Sequence, residues 1–355
     1  MEIRIKKTNQ SRLPHVDLSN IPFGRVFTDH MFIMDFDGEA WRNARIEPVD
    51  KLRIHPANLT LHYGQSIFEG MKAAKNEEGV PLLFRPEMHA KRLNASAKRM
   101  CMPEIEEAFF VEAVSQLVNL ERRWIPDIDG SALYIRPLMF ATDECLGVAP
   151  SKKFTFLILT LPVGPYYSKP VKLLVSDQYI RAAVGGVGEA KTAGNYAASL
   201  FPSKLAQKQG FDQVLWLDGV EFKYIQEVGT MNIFFVISNQ IVTPEPNGAI
   251  LKGITRDSFI TILRDWDLEV VERPVAIDEI VDAYDNGTLK EVFGSGTAAV
   301  AVNVKQITYK DSDLELDLSK ASIADRLKQE ISGIRHGSID DTRDWIKPVL
   351  EQVQA

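Results

Sequence analysis

A chain of 355 residues, 45% hydrophobic and 25% charged, carries enough apolar material for roughly two packed domains. That composition excludes collagenous, low-complexity and disordered chains. Its 41 basic and 48 acidic residues leave a net charge of −7, which argues against nucleic acid as a partner.

The first strand-like runs are expected at 32–36 and 82–84. Pro86, a residue favoured in a first helical turn, opens a helix to about Met100 with Met88, Leu93 and Ala97 near one face. Pro103 opens a second, in which Ile105, Phe109, Ala113, Leu117 and Leu120 recur at helical spacing. Strands at 131–140 and 153–161 follow. The stretch LPVGPYYSKPV (161–171) then loses backbone donors to three prolines, so 164–171 reads as a linker. It separates an N-terminal α/β domain, 1–163, from a larger C-terminal domain, 172–355. In the latter, strands are expected at 171–176, 213–218, 221–225, 232–237, 268–272, 290–293 and 299–307. Helices are expected at 196–209, 255–266, 277–285 and 323–334, and Asp218–Gly219 between two apolar runs signals a hairpin.

Cys101 and Cys145 are the only cysteines, and the six histidines show no HExxH spacing. A disulfide framework and a structural metal site are both disfavoured. The longest apolar run, near Phe154–Val163, is about half of the ~20 residues a membrane helix needs. The N-terminal MEIRIKKTNQSRLP has no apolar core of a signal peptide, so the cytoplasm is the expected compartment and no membrane partner is expected.

Two glycine-rich segments resemble phosphate loops. VGGVGEAKT (184–192) carries Ala190 where a nucleotide P-loop needs glycine before its lysine. GSGTAA (294–299) is followed by the alternating AVAVNVKQI, a strand pattern, whereas the dinucleotide fingerprint requires a helix there. Both loops still permit close backbone approach to a single phosphate. Lys191, in GGVGEAKTAGNYAAS (185–199), stands among small residues that would let a flat ligand approach. A lysine with its stem in a dry pocket becomes a nucleophilic amine, although local composition alone favours a solvated loop lysine.

Eight blocks in order carry a family resemblance: FGRVFTDHMFIMDF (23–36), LHYGQSIFEGMKA (61–73), FRPEMHAKRL (84–93), LYIRP (133–137), GGVGEAKTAGNY (185–196), EVGTMNIFF (227–235), LKGITRDS (251–258) and FGSGTAA (293–299). Through them the chain resembles the branched-chain amino acid aminotransferases, fold-type IV enzymes dependent on pyridoxal 5′-phosphate (PLP). The resemblance implies a two-domain α/β (α+β) fold and reversible ping-pong transfer of an amino group from leucine, isoleucine or valine to 2-oxoglutarate. Lys191 resembles the lysine that holds PLP as a Schiff base and moves the substrate proton. Glu227 resembles the carboxylate facing the pyridine nitrogen, and Tyr196 the phenol bonded to the ring oxygen. Arg92, Ile254, Thr255 and Thr297 match phosphate contacts. The amides of Ile254 and Thr255 would stand at a helix N-terminus, which suits an anion in any case.

For substrate, the resemblance implicates Phe23, Tyr63, Tyr134, Arg136, Thr230, Ala298 and Ala299, with Leu146 and Val148 reaching the pocket from a neighbouring subunit. A homodimer or larger homo-oligomer is therefore implied. Tyr134 and Arg136, two apart on a strand, share one face. Ala299 and Val302 stand where some vertebrate members carry a CxxC redox switch, which excludes that switch here. Two rivals on the same fold are a D-amino acid aminotransferase and an aminodeoxychorismate-lyase-like enzyme; a PLP-binding protein without turnover is the third.

Overall fold

The computed structural model describes residues 1–164 and 169–350, apart from the side chain of Lys320. Residues 165–168, half of the expected linker, lie outside the described residues. Two compact units emerge. The first comprises Met1–Tyr166, Ala190–Ala193 and Ser332–Ala355, and the second Tyr167–Glu189 and Gly194–Ile331. The units thus differ from the expected halves: the C-terminal stretch from Ser332 and four residues around Lys191 cluster with the first unit. The reason is pairing. The strand Ile346–Pro348 completes an edge of the first sheet beside Pro81–Phe84, and no local pattern in the sequence announces a partner so far away.

The first unit holds β1 (Arg4–Ile5), β2 (His30–Phe36), β3 (Trp41–Pro48), β4 (Ser66–Phe68), β5 (Met71–Lys75), β6 (Pro81–Phe84), β7 (Ala132–Ala141), β8 (Phe154–Val163) and, from the far end of the chain, β18 (Ile346–Pro348). Its sheet runs β1-β3-β2-β8-β7-β5-β6-β18, with β4 also on β7. β7 and β8 form the centre because they are long, β-branched and aromatic, and buried almost throughout. Helices α1 (Leu59–Tyr63), α2 (Pro86–Arg99) and α3 (Glu107–Leu120) complete the unit. Ala90, Leu93 and Ala97 of α2 and Phe110, Ala113 and Leu117 of α3 share one core with Phe32, Met71, Ala73, Leu133 and Ile135.

Helix α3 starts four residues later than Pro103 suggested. The Asn94 side chain clamps Ile105 by two hydrogen bonds to its backbone, of 2.7 and 2.9 Å, and so keeps that residue out of the helix.

The second unit holds β9 (Val171–Ser176), β10 (Gln213–Leu217), β11 (Ile225–Val228), β12 (Asn232–Ile237), β13 (Gln240–Thr243), β14 (Glu269–Glu272), β15 (Leu289–Gly296), β16 (Val300–Tyr309) and β17 (Ser312–Glu315). Their order is β11-β10-β9-β16-β15-β12-β13-β14, with β17 on β16. Helices α4 (Ala193–Lys208), α5 (Ile254–Asp265) and α6 (Ile277–Asp285) belong here by sequence, while α7 (Ile323–His336) runs across the boundary at Ile331–Ser332. Leu173, Leu215, Ile233, Phe235, Val292 and Val304 pack with Ile277 and Ile280 in its main core.

The Asp218–Gly219 hairpin forms, as an antiparallel β10–β11 pair, but with a wide loop. Asp218 accepts from the amides of Val220, Glu221, Lys223 and Tyr224, so most of 221–225 is loop and β11 begins only at Ile225. After GSGTAA the chain is the strand β16, antiparallel to β15, and a dinucleotide loop is excluded.

Candidate active site

Within the first unit, Lys191 is stitched to strand and helix by its backbone. Its N–H donates to Ser96 Oγ at 2.9 Å, its carbonyl accepts from Phe68 at 3.0 Å, and the neighbouring Thr192 hydroxyl donates to the Ser66 carbonyl at 2.8 Å. The residue keeps some surface, but its amine end is enclosed, with Nζ 4.8 Å from the Phe68 ring centroid. Burial, followed by the Arg92 charge, lowers the Lys191 pKa to about 8, against the opposing charges of Glu69 and Tyr134. At neutral pH about a tenth of this amine is then neutral, far more than for an ordinary lysine, as a nucleophile requires. The solvated-loop alternative fails because the loop is pinned.

Arg136 reaches the same Phe68 ring from the other residue pair expected here. Its guanidinium lies 4.8 Å from the ring centroid, and Nη2 donates to the Tyr134 hydroxyl at 2.9 Å. Tyr134 and Arg136 do share a face of β7. A side chain at position 70 would collide with the Tyr134 hydroxyl, since a Cβ on Gly70 would stand 2.2 Å from it, so Gly70 fixes where the phenol sits. Phe23 packs edge-on to Tyr134 with centroids 5.3 Å apart but is itself exposed, as is Tyr63 at the end of α1. Leu146 and Val148 are 58% and 93% exposed.

Arg92 is not a solvated helix-face residue. Its Nε and Nη2 donate to the two oxygens of Glu69 at 2.7 and 2.9 Å, a planar fork, and His89 Nδ1 lies 2.9 Å from the same carboxylate. Glu69 is wholly buried. Burial alone would raise its pKa, but the Arg92 charge and the Arg92 and His89 hydrogen bonds outweigh it and hold the carboxyl well below the usual range. Burial lowers the His89 pKa, against its bond to Glu69. Neither Glu69 nor His89 was singled out from sequence, although both lie in blocks shared with the family.

Glu69→Gln is expected to destabilise the fold by about 3 kcal/mol, because it leaves the Arg92 guanidinium part-buried beside a neutral amide. Urea unfolding at pH 7 measures this. The folded pKa of Glu69 lies below its ordinary 4.5, so this stability is fully present above that value and is lost as pH falls from there through the folded pKa. The wild-type and variant unfolding curves should therefore converge in acid; a constant gap down to pH 3 would refute the ionic account.

In the second unit, Glu227 is the last residue but one of β11, is 2% exposed, and accepts from the Leu251 N–H at 2.6 Å. Arg181 Nη2 lies 3.1 Å from the same oxygen. Both partners favour the carboxylate form. Arg181 also donates to the carbonyls of Gly188, at 3.0 Å, and Ala249. No sequence signal marked Arg181, whose importance depends on burial beside Glu227. Glu227, Arg181, Asn195, Tyr196, Ser199, Gly229 and Thr230 line one cleft.

Leu251 leads into α5, whose N-cap, Gly253, supplies no side-chain hydrogen bond to the first turn. Ile254 and Thr255 stand there, both buried, with helix-terminal amides that lack an intrahelical acceptor. A Cβ on Gly253 would stand 2.0 Å from Asn232 Oδ1, so any side chain there must displace the Asn232 amide. Thr297, Ala298 and Ala299 form the tip between β15 and β16; Thr297 and Ala298 are half-buried and Ala299 buried. Beside them, Ser295 Oγ is buried without a partner.

Each unit, taken by itself, holds groups of the kind PLP takes. The first unit offers an enclosed, part-neutral amine beside a guanidinium. The second offers an uncapped helix start for a phosphate and a buried carboxylate for a protonated ring nitrogen.

Comparison with known proteins agrees. A sequence model of the family described as amino-transferase class IV matches residues 66–307. The chain is 47% identical over 352 residues to branched-chain-amino-acid aminotransferase 2 of Bacillus subtilis, covering 98% of this chain and 97% of that protein. It is 49% identical over 333 residues to a probable branched-chain-amino-acid aminotransferase of Staphylococcus aureus, covering 92% and 93%. Among solved structures it resembles the T.th. branched-chain amino acid aminotransferase complexed with N-(5′-phosphopyridoxyl)-L-glutamate. That match has a TM-score of 0.74 at 28% identity and covers 90% of this chain and 98% of the other.

Proposed function

The chain belongs to the class IV aminotransferases, and from that premise we propose that it is a PLP-dependent branched-chain amino acid aminotransferase. It exchanges the amino group of L-leucine, L-isoleucine or L-valine with 2-oxoglutarate. The observation that carries this reading is the enclosed Lys191 amine, with a pKa lowered to about 8, beside Arg92 and Arg136. The near-full-length likeness to named branched-chain enzymes supports the substrate class.

Bound PLP supplies a carbonyl carbon that an amine can attack and a ring that accepts the electron pair left on the substrate Cα. Lys191 Nζ would provide that amine and would afterwards carry the Cα proton, which a pKa near 8 lets it both accept and return. Arg92, held by Glu69, would donate to the phosphate. The amides of Ile254 and Thr255, the Thr255 hydroxyl and Thr297 would likewise donate to a phosphate. Glu227, backed by Arg181, would hold the ring nitrogen protonated, and Tyr196 would donate to the ring oxygen.

Phe23, Tyr63 and Tyr134 accept an apolar side chain, while Arg136, bonded to the Tyr134 hydroxyl, accepts a second carboxylate. Thr230 and the backbone at Ala298 and Ala299 hold the substrate's own carboxylate. Leu146 and Val148, exposed in their own unit, suit completion of a neighbouring subunit's pocket in a homodimer or larger homo-oligomer. No helix among the described residues is long and apolar enough to cross a membrane, and we assign the protein to the cytoplasm.

The test follows the cofactor's visible spectrum while one amino acid is added at a time. L-leucine, L-isoleucine, L-valine and L-glutamate should each convert it. A response to D-leucine alone would replace this reading with a D-amino acid aminotransferase. Release of pyruvate from an aminodeoxychorismate-type substrate, without consumption of 2-oxoglutarate, would replace it with the lyase.

A further inference from the structure

The strand β2 is reached by a long strap. Residues 12–28 are loop apart from one 3₁₀ turn at Leu13–His15. Leu18 and Val26 rest on the first core, and the stretch between them carries Phe23. There the Arg25 N–H donates to the Pro22 carbonyl at 3.2 Å, with Gly24 at φ 75° completing a tight turn that needs the left-handed region. The turn presents Phe23, exposed, edge-on to Tyr134 of β7. One such ring contact is worth less than the cost of ordering two residues of backbone, so it does not by itself hold the strap in place.

What closes the strap is a set of buried acceptors at its base. Asp29, buried, accepts from the Arg12 N–H at 2.9 Å, the Ser11 hydroxyl at 2.5 Å and the Trp124 indole N–H at 3.1 Å. The Arg12 guanidinium lies 3.5 Å from the same carboxylate and donates to the Thr28 carbonyl. Burial alone would raise the Asp29 pKa, but the Arg12 amide, the Ser11 hydroxyl and the Trp124 indole outweigh it and hold the group below its ordinary value. Next along the chain, His30 Nε2 accepts from the Thr8 N–H at 2.8 Å, which puts the ring proton on Nδ1, facing Glu121. Glu121 also accepts from the Asp29 N–H at 3.2 Å. Residues 8–12, leaving for the strap, and 28–30, returning from it, are thus tied to each other and to the buried Trp124.

We propose that Asp29 is a positioning residue for the substrate wall: from the returning limb of the strap it grips the outgoing one, holds Phe23 against Tyr134, and so sets how well an apolar side chain is bound. This rests on the aminotransferase reading, in which Phe23 and Tyr134 accept that side chain. It gives a task to a residue to which the family resemblance assigned none. Asp29 acts through the strap and not by touching substrate.

The two kinds of substrate then respond differently to a loosened strap. Arg136, which takes a second carboxylate, projects from β7 and bonds to the Tyr134 hydroxyl at 2.9 Å, so its place does not depend on the strap. Leucine offers the wall only apolar surface and loses binding when Phe23 is no longer held. Lys191 is pinned by Ser96 and Phe68 and, through Thr192, by Ser66, so the chemical step is untouched. The signature falls on KM for leucine, with kcat and the handling of glutamate kept.

The test uses the PLP-loaded protein, its reactions with leucine and with glutamate, and limited trypsin digestion. Asp29→Asn puts an amide where three donors need an acceptor. It should raise KM for leucine about fivefold, while kcat and KM for glutamate stay within about twofold. On a Phe23→Ala background the same substitution should change KM for leucine by less than about twofold, because the residue it positions is gone. Trypsin should cut after Arg25, at the exposed turn, faster than in the wild type. If Asp29→Asn fails to fold, Ser11→Ala combined with Arg12→Ala, which removes two strap-side partners from exposed positions, decides by the same readouts. Equal losses with leucine and glutamate, an undiminished loss on the Phe23→Ala background, or unchanged cleavage after Arg25 overturns the positioning role. Wild-type protein that shows no half-reaction with leucine overturns the aminotransferase reading beneath it; the trypsin comparison, which needs no substrate, still decides whether Asp29 holds the strap.

Discussion

Lys191→Ala is expected to reduce turnover with L-leucine by about four orders of magnitude. It should also abolish the visible absorbance of lysine-bound PLP while leaving the thermal melt of the cofactor-free protein close to wild type. The fold should survive because the contacts that pin this segment are backbone ones: the Lys191 N–H to Ser96 and the Lys191 carbonyl from Phe68. An alanine retains both. Small primary amines added to the variant should restore part of the rate, since the missing function is an amine that moves a proton. Failure of every amine to rescue, with PLP still bound, would show that Lys191 does something other than shuttle the proton. In the wild type, burial and Arg92 set the amine pKa near 8. The neutral share, and with it the rate at which cofactor-free protein captures PLP, should rise about tenfold per pH unit below that value and level off above it. A flat profile between pH 6 and 8 would remove the argument for a tuned amine.

Glu227→Gln is expected to cost about 10²–10³ in the rate of the half-reaction, with smaller loss in PLP affinity. The carboxylate can hold a proton on the ring nitrogen; the amide cannot, and the ring becomes a weaker electron sink. Glu227→Asp, which keeps the charge but draws it back, should recover part of the rate. Stopped-flow measurement of the half-reaction with leucine gives both numbers. Equal behaviour of the Gln and Asp variants would assign the loss to packing rather than charge. Arg181 sharpens this expectation. Gln at 227 leaves the 3.1 Å Arg181 contact without its anion, so some loss of stability should accompany the loss of rate.

Much of the architecture was legible in local pattern. The helix starting at Pro86, the α6 segment and the strand 171–176 appear where expected, since each combines a strong period with a clear stop or start. The expected strand at 221–225 failed because side-chain chemistry won locally: four amides turn toward Asp218 instead of a neighbouring strand. The short strands Ser66–Phe68 and Ile346–Pro348 were invisible. Three residues carry no period, and their existence depends on partners supplied by distant β7 and β6. Lys191 shows the same limit at the candidate site. Its composition suggested a mobile loop, and only the hydrogen bonds to Ser96, Phe68 and Ser66 reveal a pinned one.

By itself the sequence determined the family, through eight ordered blocks, and with it the residues to ask about: Lys191, Glu227, Tyr196 and Arg92. It also determined what was absent, namely the glycine of a P-loop and the cysteines of a redox switch. Tertiary structure alone decided the charge state of the groups that matter. Glu69 and His89 around Arg92, and Arg181 beside Glu227, are ordinary surface-prone residue types until burial removes water from them. Charge energetics depend on distance and solvent exposure. Neither quantity is encoded in neighbouring letters, because the partners lie tens to hundreds of positions apart along the chain.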